Sequence, residues 1–303
     1  MQSDPTVEPA GGHWLPIREV ARQTGVNPVT LRAWERRYGL IVPHRTAKGH
    51  RLYDAEHVRR VQLVVTWLSR GVSVSQVKAL LDAPQSLKGE PIESEWLPLR
   101  EQLIEAIAAL AERRVDDLFN QAMAIYPPVT LCEQLLLPLL EALEQRWQSQ
   151  FGAQMERVFF FTWLRSKFGA RLYHNNRQLS GAPVLLINQS DLPLEPHLWL
   201  TAWLVSSANC PVTVLDWPLP PSELALASER LKARAVLFYS RKVVGPGVLA
   251  RLASSCSSPA WLVGPAVVLH RNEAGPAGDD MAGLSLAPTP LAALQALQQA
   301  GLL

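Results

Sequence analysis

The fold of the first part of this chain is decided by residues 17–53, which read IREVARQTGVNPVTLRAWERRYGLIVPHRTAKGHRLY. Ile17, Val20 and Ala21 recur at the spacing of one buried helical face. Gly25 follows them and is free to adopt the positive φ that a helix C-cap or a sharp turn requires. The pattern therefore predicts a short amphipathic helix that ends in a tight turn.

A second helix is predicted directly after this turn. Asn27 would cap it and Pro28 would lie in its first turn, where a missing N–H costs nothing. Leu31 and Trp34 give it an inner stripe, and four polar side chains are then expected to face outward: Thr30, Arg32, Arg36 and Arg37. Two helices packed at a steep angle across a short turn form a helix-turn-helix, which places its second helix in the major groove of DNA.

Residues 43–53 carry a cluster of cationic and titratable side chains around Gly49, namely Arg45, Lys48, His50 and Arg51. This composition suits a short basic β-ribbon, or wing, that lies along the phosphates of a duplex. Beyond it, Asp54 is a predicted cap for a helix over residues 54–69, whose inner face would carry Val58, Val61, Val65 and Leu68.

This part of the chain resembles the MerR family of transcription regulators. The resemblance covers about residues 15–82 and rests on four motifs in order: IREVA, TLRAWERRYGL, PHRTAKGHRLYD and VRRVQLVVTWLSRGVSVSQVKALL. The segment WERRYG (34–39) is most similar to the CarH/LitR/MlrA branch, which includes cobalamin sensors. The resemblance implies a homodimer that binds double-stranded promoter DNA and acts on RNA polymerase there.

We expect the DNA contacts to fall into two groups. Thr30, Arg32 and Arg36 would lie nearest the base edges, where arginine can pair bidentately with guanine. Other side chains would mostly hold the sugar–phosphate backbone and so fix position without reading sequence. The full set of candidate DNA-binding residues is Arg18, Asn27, Thr30, Arg32, Arg36, Arg37, Tyr38, Arg45, Lys48, His50, Arg51 and Tyr53.

The charge of the chain is unevenly distributed. It has 303 residues with 29 Lys and Arg against 27 Asp and Glu, yet residues 13–80 alone carry twelve basic and four acidic side chains, a net of +8. The remainder therefore carries −6. We call the basic part, residues 13–80, the head. Its positive charge, set against the acidic remainder of the chain, concentrates affinity for phosphates in one domain.

Several function classes are disfavoured by the sequence. Cys132, Cys210 and Cys256 are scattered without a C-x-x-C pair, so neither a zinc site nor a disulfide framework is expected. We find no P-loop, no G-x-G-x-x-G and no G-x-S-x-G, and we expect no enzyme activity. The polar first twelve residues are no secretory signal, and no run of about 18 apolar residues occurs. These features predict a soluble, cytoplasmic protein without a catalytic or metal site.

The sequence predicts an α+β multidomain protein. A disordered tail (1–13) precedes the winged helix-turn-helix DNA-binding domain (14–82), a linker (83–96), a four-helix bundle (97–177) and a Rossmann-like doubly wound α/β domain (178–303). The last assignment rests on apolar strand candidates at 184–188, 212–216, 235–240 and 261–264, with helices predicted at 196–208, 222–233, 248–255 and 290–303 and a loop at 272–283.

The bundle and the α/β domain resemble the cobalamin-binding part of the same sensors, but with departures. Trp147 and Glu156 match the bundle's motif, whereas Arg157 stands where a cobalt-binding His is expected and has no lone pair to donate. Glu195 and His197 resemble the loop motif below cobalamin, but Leu200 then stands in place of its glycine. Aligning by distance to the next strand instead puts Leu194 in the His position and His197 in the Gly position, so neither alignment gives the full motif. A second motif, Gly-Gly near the nucleotide tail, is interrupted by Pro265. Trp147, Glu156 and His197 are therefore only weak cofactor candidates.

These observations favour a dimeric DNA-binding transcriptional regulator whose C-terminal domain has lost cobalamin. Two alternatives stay open: a repressor that responds to cobalamin or to another small molecule, including a light-sensing version, and a platform that recruits a signalling protein to the C-terminal half. For the platform, Trp199, Trp203 and Trp217 near one sheet edge would form the recruiting surface, although packing in the core is a simpler explanation of these side chains.

Overall fold

The structure is a computed structural model that describes residues 14–82, 96–190, 194–274 and 283–303. It contains two compact units, residues 1–150 and residues 151–303. The predicted disordered tail and all but the last residue of the predicted linker lie outside the described residues. The predicted fold class is confirmed: a winged helix-turn-helix, a helical region and a parallel sheet are all present.

The helix-turn-helix forms as the sequence predicts. Helix α1 (Ile17–Thr24) ends at Gly25, which has a φ of 70° and donates its N–H to the Ala21 carbonyl at 3.0 Å. Helix α2 (Pro28–Ala33) begins at Asn27, whose side chain accepts hydrogen bonds from two backbone N–H groups of the first turn, each at 2.9 Å. The helix continues as a single π-helical turn (Trp34–Tyr38).

The wing is part of a three-stranded antiparallel sheet in the order β1-β3-β2. Strands β2 (His44–Arg45) and β3 (Arg51–Tyr53) form the predicted ribbon. Strand β1 (Leu15–Pro16) was not predicted, because two residues carry no periodic signal and pair with β3 only after the chain has folded back.

Helices α3 (Ala55–Ser69) and α4 (Val74–Asp82) complete this domain. Asp54 caps α3 as predicted, in a reciprocal capping box with His57. The inner face of α3 uses Val64 rather than the predicted Val65. Val64 and Val65 are adjacent at the edge of the apolar stripe, and tertiary packing determines which of the two side chains is buried.

Four further helical segments follow in the first unit: α5 (Trp96–Ala108), α6 (Glu112–Ile125), α7 (Pro128–Leu131) and, after a π-helical turn (Cys132–Leu136), α8 (Leu137–Trp147). Helix α5 begins inside the predicted linker, because Trp96 is buried against Tyr126 with ring centroids 4.3 Å apart. The π turn precedes Pro138, which cannot donate to the helical ladder and would clash with the carbonyl four residues earlier.

The second unit opens with helix α9 (Ala153–Asn176) and contains a five-stranded sheet. Its strands are β4 (Val184–Asn188), β5 (Val212–Leu215), β6 (Ala235–Tyr239), β7 (Ala260–Val263) and β8 (Ser285–Ala287). All neighbours pair in parallel in the order β5-β4-β6-β7-β8, as in doubly wound folds. Four strands are confirmed, while β8 was not predicted because it is short and half-exposed.

Helices cover both faces of this sheet. They are α10 (Pro196–Ser207), α11 (Pro221–Leu231), α12 (Pro246–Ser254), α13 (Ala266–Ala274) and α14 (Pro290–Gln299). Helix α13 was not predicted, and it extends into the predicted loop 272–283, of which residues 275–282 lie outside the described residues. Helix α10 packs against α9 and α14, and an apolar cluster under α11, α12 and α13 fills the other face.

Candidate nucleic-acid interface

The second helix of the helix-turn-helix, α2 with its π turn, presents several predicted DNA contacts to solvent. Arg36 and Arg37 are exposed and Arg32 is half-buried. Val29 is 60% exposed and lies one turn before Ala33 on the same side of the helix. These side chains line an open pocket of about 290 Å³ together with Ala124 of α6. An open, cationic helix face of this kind fits a major groove.

Two predicted contact residues are placed differently. Thr30 is completely buried rather than outward-facing, because the side of α2 that it shares with Trp34 packs against α6. Tyr53 is also buried, with its ring edge-on to His57 at 5.9 Å, and this burial raises the pKa of its hydroxyl. The expectation that these two side chains face DNA is therefore wrong for this conformation.

The wing is held to the recognition helix by Glu35, a residue to which sequence reasoning assigned no role. Arg45 Nη2 donates to Glu35 Oε1 at 2.7 Å, and Arg51 Nε donates to Glu35 Oε2 at 2.5 Å. Partial burial opposes ionisation of this carboxyl, but the hydrogen bonds from Arg51 and Arg45 outweigh it and hold the pKa of Glu35 below its usual value. The same contact raises the pKa of Arg51.

The tip of the wing carries two more of the candidate DNA-binding residues. Lys48 and His50 are exposed. The turn between the strands is closed by hydrogen bonds from Thr46 N to His50 O at 2.9 Å and from His50 N to Thr46 Oγ1 at 3.0 Å. Gly49 has a φ of 79°, which only glycine adopts readily, so the sharp turn that presents Lys48 depends on it.

The other three candidate DNA-binding residues lie at helix ends of the helix-turn-helix. Arg18 is exposed on α1, and Tyr38 is half-buried at the end of the π turn. Asn27 has its side-chain oxygen committed to capping α2. Asn27 therefore orients the helix N-terminus, whose partial positive charge favours a phosphate nearby.

In the second unit, the carboxyl ends of the strands form the edge where doubly wound folds bind ligands. Here Glu195 is buried, caps α10, and lies 3.2 Å from His197 Nδ1. The His197 ring stacks on the buried Tyr239 at 6.3 Å. A Cβ placed on Gly264 would be only 2.7 Å from Tyr239 Cζ. The tyrosine ring thus fills the space between Gly264 and His197.

This filled edge leaves little open space where the resemblance would place the nucleotide tail of cobalamin. A bulky nucleotide tail needs open space beside Gly264, and Tyr239 occupies that space. Arg157 is a poor metal ligand and lies over the Phe161 ring at 5.6 Å. Of the weak cofactor candidates, Trp147 lies in the first unit, while Glu156 and His197 lie in the second, where Glu156 is buried in α9.

Comparison with known proteins decides the family. The profile of the MerR HTH family of regulatory proteins matches residues 15–84, and that of a B12 binding domain matches residues 99–171. The HTH-type transcriptional regulator MlrA of Escherichia coli K12 is 30% identical over 199 residues, which cover 66% of this chain and 78% of MlrA. The chain belongs to the MerR family of transcriptional regulators.

Two further HTH-type relatives come from Myxococcus xanthus. The HTH-type transcriptional repressor CarH is 31% identical over 147 residues, covering 44% of this chain and 48% of CarH. The repressor CarA is 35% identical over 136 residues, covering 44% and 45% of the two chains. This MerR-family regulator therefore combines the family's HTH domain with a B12-binding-type domain, whose matched residues span α5 to most of α9.

Three further properties of the described residues concern membrane-spanning helices, metal sites and an exposed aromatic surface. No helix in the described ranges is long and apolar enough to cross a membrane. Within the same ranges, no group of three or more His, Cys, Asp or Glu side chains is arranged to hold a metal ion. Of the three tryptophans proposed as a recruiting surface, Trp199 and Trp203 are buried and Trp217 is 69% exposed.

Proposed function

We propose that this MerR-family regulator binds promoter DNA as a dimer, with one winged helix-turn-helix on each half-site. The observation that supports this most directly is the exposed cationic face of α2, held at a fixed position relative to the wing through Glu35. Two such heads on a two-fold dimer would enter successive major grooves of a near-palindromic site. Regulation would follow from the action of the bound dimer on RNA polymerase.

The contacts divide by chemistry. Arg32 and Arg36 are assigned to base edges, and Arg37, Lys48 and His50 to phosphates. Arg45 and Arg51 act chiefly by holding the wing, because each already pairs with Glu35. Arg18, Asn27 and Tyr38 lie at the ends of the motif and would meet the backbone there.

We assign no catalytic step and no bound cobalamin to the C-terminal part. This proposal is supported by Tyr239 beside Gly264, by the stacking of His197 on Tyr239, and by Arg157 in place of a metal ligand. The bundle (97–177) and the α/β domain (178–303) would then act as a cofactor-free regulatory part of a cytoplasmic protein, able to receive a regulatory protein as partner.

Binding of duplex DNA by the full chain tests the main proposal. Fluorescence anisotropy with DNA from upstream of its own gene and with a scrambled duplex would measure affinity and specificity as salt is varied. Arg36→Ala is expected to weaken binding to the specific site by about 1–3 kcal/mol per head. Arg59→Ala is a matched control, because Arg59 is exposed on α3 and pairs with Glu56. Equal effects of both substitutions would contradict the assignment.

A separate measurement tests the loss of cobalamin. The purified protein is incubated with adenosylcobalamin in the dark and desalted, and its visible spectrum is recorded. We expect a colourless protein. Retained corrinoid absorbance would show that Tyr239 moves aside, and it would make this regulator a cobalamin-responsive switch in place of the cofactor-free one.

A further inference from the structure

The recognition helix is packed against a helix of the same unit that follows it by about 90 residues. The Trp34 indole Nε1 donates a 2.7 Å hydrogen bond to the carbonyl of Ile125, the last residue of α6. Trp34 and Thr30 are both buried in this contact. Among the described residues, Thr30 Oγ1 has no hydrogen-bond partner.

Two more contacts join the helix-turn-helix domain to Tyr126, which follows α6, and to Gln134 of the π-helical turn after α7. The backbone N–H of Val74, at the start of α4, lies 3.5 Å from the Tyr126 hydroxyl. Gln134 Nε2 donates to the carbonyl of Ser69, at the end of α3, at 3.0 Å. We call these three hydrogen bonds, with the Thr30–Trp34 side of α2, the docking contact.

The docking contact lies directly beside the DNA-reading face. Val29 and Ala33 lie on the open side of α2, yet they share an open pocket with Ala124 of α6. Helices in contact have axes about 8–10 Å apart. The end of α6 is therefore one helix width from the residues assigned to base edges.

A duplex cannot accommodate this arrangement. The major groove is about 12 Å wide, and one helix with its side chains is about 10–12 Å across. A recognition helix that enters the groove leaves no room for a second helix along its flank. DNA seated on the Arg32–Arg36 side of α2 would therefore collide with the end of α6, which flanks that side through Ala124.

Charge favours the docked arrangement when DNA is absent. Residues 81–150 carry twelve Asp and Glu against five Lys and Arg, a net of −7, whereas residues 13–80 carry +8. Opposite net charges on two parts of one chain attract, and the acidic part also repels phosphates. The acidic surplus predicted for the body is thus concentrated in the segment that contains α6.

We propose that the docking contact is autoinhibitory: α6 holds the recognition helix away from DNA, and undocking of the head is the step that regulation controls. This inference rests on the proposed function, since it requires that the head bind DNA. A signal received by the helices α5 to α8 would act by weakening or strengthening this contact. Apparent DNA affinity then equals the intrinsic affinity multiplied by the undocked fraction.

A reversible cross-link tests the proposal at a distance from the DNA-reading face. Ser69→Cys and Gln134→Cys, combined with Cys256→Ser in the full chain, are joined by a short bis-maleimide that contains a reducible disulfide. The two other native cysteines are buried. Binding to a duplex of random sequence at low salt is measured by anisotropy before and after reduction. We expect at least about tenfold weaker binding in the linked form, recovered on reduction.

Loosening the contact should have the opposite effect. Gln134→Ala and Tyr126→Phe each remove one hydrogen bond of the docking contact, and each should raise apparent affinity about twofold to tenfold. Gln145→Ala, at an exposed site on α8, is the matched control and should leave affinity unchanged. None of these substitutions changes a residue assigned to DNA.

The outcomes separate the two proposals. If linked and reduced protein bind equally well, the head binds DNA while docked, and autoinhibition is wrong although the proposed function stands. If the reduced protein and the loosened variants all fail to bind at low salt, the DNA-binding function itself is wrong and the inference falls with it. If the reduced protein binds DNA weakly and the loosened variants bind it more tightly, the result supports both the DNA-binding function and the autoinhibition.

Discussion

The ion pairs of Glu35 should make the wing's position depend on Arg51 far more than on Arg45. The Glu35 side chain is 13% exposed, that of Arg51 is 19% exposed and that of Arg45 is 52% exposed. A shielded, charged hydrogen bond contributes about 1.5–3 kcal/mol, whereas an exposed pair contributes about 1 kcal/mol or less. Arg51→Met is therefore expected to destabilise the first unit by about 1.5–3 kcal/mol, and Arg45→Met by less than about 1 kcal/mol.

Thermal unfolding followed by tryptophan fluorescence would check this difference. A cost of that size corresponds to a Tm shift of about 3–12 °C for a unit of this length. A double-mutant cycle with Glu35→Gln isolates the pair, and its coupling should match the cost of Arg51→Met. Equal costs for the two arginines, or a coupling below about 0.5 kcal/mol, would refute the reasoning.

The same cycle has a predicted pH dependence. Because the pKa of Glu35 is lowered in the folded protein, its ion pairs stabilise the fold above the unfolded carboxyl pKa of about 4.3. That stabilisation is lost as the pH falls through the lower folded-state pKa. The coupling should be full at neutral pH and decline below about pH 4.

Three further predictions follow from local geometry. Asn27→Ala removes the cap of α2 and should cost about 0.5–2 kcal/mol in denaturant unfolding, while Asn27→Ser should restore most of it. Gly264→Ala places a Cβ within 2.8 Å of a backbone oxygen at a φ of 105°, so it should lower the Tm of the α/β unit by several degrees; Gly247→Ala, with open space around its Cβ, should not. Burial raises the pKa of the Cys132 thiol to about 12, so this cysteine should resist iodoacetamide at pH 8 in the folded protein, whereas half-buried Cys256 should react first. Peptide mapping that found Cys132 modified as fast as Cys256 would contradict the last prediction.

The parts of the fold that the sequence predicted correctly are those specified by residues close together in the chain. Gly25 and Asn27 fix the turn of the helix-turn-helix through hydrogen bonds to residues no more than four positions away. Continuous apolar runs likewise identified β4 and β6, which are buried along their full length. Strands β1 and β8 were missed because each has only two or three residues and depends on a partner elsewhere in the chain.

The candidate DNA site was predicted only in part. The exposed cations Arg36, Arg37 and Lys48 lie where the residue pattern places them. The role of Glu35 was not predicted, because a single acidic residue in a basic helix forms no sequence pattern that indicates a function. Its role appears only when Arg45 and Arg51, which follow 10 and 16 residues later, reach it.

The sequence by itself determined most of the helices, four of the five strands of the parallel sheet, where the recognition helix begins, and the +8 charge of residues 13–80. These properties depend on backbone hydrogen bonds and side-chain types within a few residues of each other. Only the tertiary structure decided that Thr30 is buried against α6 and that Tyr239 fills the space beside Gly264. Both results depend on packing between segments that are far apart in the chain. The residues near an apolar face do not indicate which other apolar face of similar size it will pack against.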